Sequence, residues 1–231
     1  NCLKNPLGDE GLATLLTAVE ASSVGSICGL TDGQTTVDWS EQTLGPFDCK
    51  IIAADFGFRR FSAALDEVNV SQNFIGFDGG QALANAIPDS SLQWIVIGKK
   101  STRIPLHNSE ITSLDVSDQE LGPGEVIVVA AAISTYSAIE EVNLAFNKIG
   151  AEGGSALVEA LKTSNIKFLG IGKQFKTAGG SCITRSLVKT GVTLSSVGRL
   201  GEVTEINSSN PHYIKLKWQN DGSENDWIEI N

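Results

Sequence analysis

The chain has 231 residues, 41% hydrophobic and 19% charged, enough for one large domain or for one domain plus a small module. Its 17 basic and 27 acidic residues leave a formal charge of −10, which repels nucleic acid and anionic lipid and makes both poor partners. No apolar run reaches the ~18–20 residues of a membrane-crossing helix, so no membrane span is expected.

The chain opens with a partial copy of a unit that recurs more fully later: NPLGDEGLATLL from Asn5, then SICGL from Ser26. The first full copy runs VDWSEQTLGP from Val37, IIAA from Ile51, VNVSQNFIGFDGGQALANAI from Val68 and WIVIGKK from Trp94. The second runs LDVSDQELGP from Leu114, VVAA from Val128, VNLAFNKIGAEGGSALVEAL from Val142 and FLGIGKQ from Phe168. Val68 and Ile95 are 27 residues apart, as are Val142 and Leu169, a register that chance similarity does not keep.

Within a unit, two apolar residues stand two apart, as in Val68 and Val70 or Val142 and Leu144, which predicts a short strand with one face in a core. An amide follows, Asn73 or Asn147, with Gln42 and Gln119 in the related half-units. Each amide is expected to turn inward and satisfy backbone groups left open at the bend. Gly then allows the turn into a helix, and Pro46 and Pro123 suit the first helical position, where no amide donor is missed. The helices carry apolar stripes, Ala82, Leu83, Ala86 and Ile87 in one and Ala156, Leu157, Ala160 and Leu161 in the other. Val126–Ile133 reads as a buried helix. Gly79–Gly80 and Gly153–Gly154 predict close helix packing, because no phosphate-loop context surrounds them.

These residues resemble leucine-rich repeats of the ribonuclease-inhibitor type, over about residues 1–175 and most closely over Val68–Ile87 and Val142–Leu161. The resemblance implies an α/β solenoid, with a curved parallel β-sheet inside and helices outside, used for protein recognition. Leu30 to Val37 and Lys99 to Ser113 are too short or irregular for full helices, so some coils are expected to lack one. On this register Asp38, Asn69, Val96, Asp115 and Asn143 should line the concave face, with Trp94 and Phe168 beside them as aromatic anchors. The clusters Arg59–Arg60 and Lys99–Lys100–Arg103 read as solvated loop charge.

The repeat pattern stops after Lys176, so the solenoid is placed at 1–176 and a linker at 177–181. Residues 182–231 are assigned to a segment that caps the solenoid and to a small antiparallel β-barrel. Candidate strands are Gly201–Ile206, Tyr213–Trp218 and Trp227–Ile230, with a turn at Asn220–Ser223. The string GRLGEVTEI…YIKLKWQNDGSENDWIEI resembles SH3-like or Tudor-like barrels, which implies a ligand site for which Tyr213 and Trp227 are the candidates.

Catalytic chemistry has little to work with. His107 and His212 are isolated, no GxSxG elbow occurs, and the four cysteines form no close pair, so no enzyme activity, metal or cofactor is expected. Cys28 falls in the strand slot of Val96 and Gly170, where a thiol would face the concave surface. The reading is a non-catalytic protein-binding scaffold, an accessory subunit of a larger assembly. The alternative is a regulatory module whose C-terminal barrel reads a peptide or a modified side chain. The absence of a starting Met suggests a processed protein or a fragment, and an intracellular setting is favoured.

Overall fold

The computed structural model describes residues 1–57 and 64–170 and the strands 193–196, 199–206, 213–218 and 228–229. Helix α1 (Gly8–Glu20) leads into β1 (Thr36–Asp38), α2 (Pro46–Gly57), β2 (Glu67–Asn69), α3 (Gly76–Ala86), β3 (Trp94–Ile97) and β4 (Thr102–Pro105). A second series follows: β5 (Ser113–Asp115), α4 (Pro123–Ser134), β6 (Glu141–Asn143), α5 (Gly150–Thr163) and β7 (Phe168–Gly170). Beyond it lie β8 (Thr193–Ser196), β9 (Arg199–Ile206), β10 (Tyr213–Trp218) and β11 (Ile228–Glu229).

The repeat register is the strand register. Val37 pairs with Val68 and Val68 with Ile95 in β1–β2–β3, all parallel. Leu114 pairs with Val142 and Val142 with Leu169 in β5–β6–β7, again parallel. The central residues Val68, Ile95, Val142 and Leu169 are buried against the helices.

The expectation of one continuous parallel sheet is corrected: there are two sheets. The stretch after β3 lacks a helix, but it folds back as β4, antiparallel to β3. Gly98 and Ser101 take left-handed φ of 74° and 51°, which turns the chain within a few residues instead of sending it outward. Strand β4 thereby closes the first sheet, and β5 begins the second.

The helices ignore this break. Neighbours pack as α2 on α3, α3 on α4 and α4 on α5 in one row. At the α3–α4 contact a Cβ on Gly80 would stand 2.2 Å from the Gly124 carbonyl oxygen, and a Cβ on Gly124 would stand 2.0 Å from that of Gly76. Only glycine lets the backbones approach so closely. The paired glycines therefore serve packing, and Gly124 is their unforeseen partner. Val126–Ile133 lies within α4, and all but half-buried Ala131 are buried. No helix among the described residues is long and apolar enough to cross a membrane.

Three further expectations change. SICGL forms no strand, because the buried Asp55 carboxylate on α2 accepts the N–H groups of Ile27 (2.7 Å) and Cys28 (3.3 Å) that a neighbouring strand would use. Gln42 does not turn inward but lies exposed, and Gln119 turns sideways, donating to the Ser117 carbonyl. The glycines also differ: Gly76 and Gly150 are left-handed at 57° and 67°, whereas Gly122 is extended because Pro123 disfavours helical geometry in the residue before it.

No closed barrel forms among the described C-terminal strands. Strand β8 runs parallel to β7, with Leu194 opposite Leu169, and β9, β10 and β11 add antiparallel strands to the same sheet. The linker at 177–181 lies outside the described residues.

Candidate protein-binding face

Successive strand residues point to opposite sides, so the residues flanking each buried centre share the outer face of the sheet. In the first sheet two rows cross the strands. Thr36, Glu67, Trp94 and Pro105 pair in one, and Asp38, Asn69, Val96 and Arg103 in the other. In the second sheet Ser113, Glu141 and Phe168 form one row, and Asp115, Asn143 and Gly170 the other. The expected residues are thus distributed over two hydrogen-bonded sheets.

The four Asp and Asn residues share a local task. Each side-chain Oδ1 accepts the N–H two residues on: Ser40 for Asp38 (2.8 Å), Ser71 for Asn69 (3.0 Å), Ser117 for Asp115 (2.9 Å) and Ala145 for Asn143 (3.1 Å). This is the Asx turn that ends a strand. Hydrogen bonds from the Ser40 side chain and backbone hold the Asp38 carboxyl below the usual carboxylate range. At Asp115, burial pushes the carboxyl up, but bonds from Ser117 and Asn143 outweigh it and leave the carboxyl lowered. Gly170 matters here, since a Cβ on it would stand 2.5 Å from Asn143 Oδ1.

Trp94 is half-buried, and its ring is covered by the guanidinium of Arg103, 3.6 Å from the ring centroid. Glu67 holds that guanidinium by accepting from its Nε at 2.8 Å and lying 2.6 Å from a terminal nitrogen. Glu67 was not singled out in the sequence, and Arg103 was read there only as solvated loop charge. The signal was the hairpin: only an antiparallel β4 brings residue 103 beside its neighbours on β3. Lys100 likewise donates to the Asp118 carboxylate at 3.2 Å, so two members of this basic cluster form ion pairs while their side chains stay exposed to solvent.

Val96 keeps its place in the row but is 6% exposed, which corrects its assignment to an accessible surface. The backbone of Phe168 sits opposite Glu141. Tyr213 begins β10 opposite Glu229, and Trp227 lies outside the described residues. Cys28 is buried rather than displayed, and burial, reinforced by Asp55, pushes its thiol far up. A thiolate nucleophile does not form there.

A family model described as Leucine Rich repeat matches residues 139–158. The matched segment spans β6 and most of α5, with Ile139, Val142, Leu144, Asn147, Ile149 and Leu157 in its core. The chain therefore carries a leucine-rich repeat, a motif that serves protein–protein interaction. Compared with curated proteins, the chain has no match.

Proposed function

We propose that the chain is a non-catalytic protein-binding scaffold of the ribonuclease-inhibitor-like type, an accessory subunit of a larger assembly. It engages its partner through the outer face of the first sheet, around Trp94, Asp38 and Asn69, with Asp115, Asn143 and Phe168 extending the contact on the second. The observation that carries this reading is the Trp94–Arg103–Glu67 group. A large aromatic ring is held in a fixed orientation by a stacked cation, on a face that also carries Thr36, Asp38 and Asn69. Rigid aromatic anchors with Arg beside them are what interfaces use for most of their binding energy.

Native mass measurement of the tagged chain isolated from its source tests the reading. A stable complex of defined mass is the expected result, and a free monomer would overturn the accessory-subunit role. Within that complex, Trp94→Ala should weaken partner retention more than it lowers the melting temperature of the isolated chain. Equal loss in both would make Trp94 a packing residue only.

A further inference from the structure

Leu7, Val24, Phe74, Phe77 and Phe146 are the large apolar side chains exposed among the described residues. All but Val24 lie on one rim of the molecule, where the helices begin. Leu7 immediately precedes α1, Phe74 lies two residues before α3 and Phe77 is its second residue, and Phe146 lies in the turn before α5. Exposure is 75% for Phe74, 47% for Phe77 and 53% for Phe146.

Adjacent turns along this rim are joined, by the Gly76–Gly124 contact between α3 and α4 and by backbone bonds on either side of it. The Phe74 N–H donates to the Leu44 carbonyl at 2.9 Å, and the Lys148 N–H to that of Leu121 at 2.8 Å. Prolines fill the intervals: a Cβ on Gly76 would stand 3.3 Å from Pro46 Cγ, and one on Gly150 would stand 2.7 Å from Pro123 Cγ. The fold does not call for aromatics here. The repeat counterpart of Phe74 is Lys148, that of Phe77 is Ala151, and that of Phe146 is Gln72. Apolar groups placed in water without a packing role mark an interaction surface.

Charge identifies the occupant. The first helical turns on this rim expose Asp9, Asp78 and Glu152. Lys50 is already committed to Asp9 at 2.8 Å, and Lys100 to Asp118 and Glu120 at 3.2 and 3.9 Å. Lys4 and Lys148 also stand on this rim, but exposed Glu10, Glu41, Asp78 and Glu152 keep it acidic. A second copy of this chain would bring like charges together, and an anionic membrane would be repelled.

We propose that this rim docks a partner-protein segment bearing bulky apolar side chains flanked by Lys or Arg. The surface is separate from the Trp94 face, so the two readings fail separately.

Fluorescence polarisation with the full chain and three synthetic peptides tests the proposal. One peptide carries Leu and Phe flanked by Lys and Arg, one the same anchors flanked by Glu, and one the basic flanks with Ser for the anchors. Only the first should bind, more weakly as salt rises. Phe74→Ser/Phe77→Ser should weaken it at least about tenfold, Phe146→Ser should weaken it independently, and Trp94→Ala should leave it unchanged. Unaltered melting curves establish that these exposed substitutions leave the fold intact. Equal binding of the acidic peptide, or binding unaffected by either Phe variant, would overturn the proposal. So would a sedimentation-detected dimer abolished by Phe74→Ser, or Phe-dependent binding to phosphatidylserine vesicles.

Discussion

Asn73 and Asn147 each tie one coil to the one before it with a single side chain. Asn147 Oδ1 accepts from the N–H groups of Gln119 (3.1 Å) and Leu121 (3.0 Å), and Nδ2 donates to the carbonyls of Val116 (2.7 Å) and Leu144 (3.1 Å). The residue is 1% exposed, so water cannot replace a lost partner. Asn147→Leu is expected to cost roughly 1–3 kcal/mol for each group left unpaired, read as a lowered melting temperature. An unchanged value would contradict the register. The sequence made these two amides legible through their spacing. It misled at Gln42 and Gln119, because one added methylene places the amide beyond the turn that Asn reaches. The Asx row offers a second check. Its lowered Asp carboxyls contribute stability that is full above the unfolded pKa of about 3.9 and lost as pH falls through the lower folded value. NMR titration should place the Asp38 and Asp115 midpoints below 3.8. Asp38→Asn should keep the turn, as Asn69 does, and remove that site's part of the pH dependence.

At the scale of elements, the α3–α4 contact depends on the absence of side chains. Gly124→Ala drives a Cβ into the Gly76 carbonyl at 2.0 Å, so the two helices must separate. Overpacking of this kind costs about 1–3 kcal/mol. Gly45→Ala is the matched control, since its Cβ would meet nothing closer than Asp48 Oδ2 at 4.0 Å. Calorimetry should show a clear drop for the first and a near-neutral second. The helices and parallel strands were readable because their apolar spacing sets their faces. The hairpin was not. Thr102–Pro105 is four residues long, too short for periodicity to separate a returning strand from a loop. Two capping carboxylates also escaped notice: Asp48 accepts the Gly45 N–H at 2.9 Å and Glu125 the Gly122 N–H at 3.0 Å. The sequence signal for both is an acid three residues after the glycine that precedes the helix.

For the whole molecule, a repeat array ends in an edge that must be covered, because a coil cannot bury its stacking face alone. Strand β8 pairs with β7 through Phe168–Thr193, Leu169–Leu194 and Gly170–Ser195. A chain cut after Lys176 would present β7 as an open strand edge, which invites pairing with other chains. Aggregation or partial unfolding is expected by light scattering and melting. A soluble, monomeric and equally stable truncation would show that the C-terminal strands are an independent unit.

The split strand layer under an unbroken helix layer also has a mechanical consequence. Within each half, a load along the row of coils is shared by ladders of backbone hydrogen bonds. Between β4 and β5 no such ladder exists, and at the turn the seam is bridged by Lys100 with Asp118 and by Thr102 with Gln119 at 3.1 Å. Partly exposed ion pairs weaken as salt rises, whereas backbone ladders and packed helices are far less affected. In a force-spectroscopy experiment the molecule should therefore yield first at this seam, at a force that falls with ionic strength. Each half would then part as an elastic plate joined along its helical side, like two leaves on one spine.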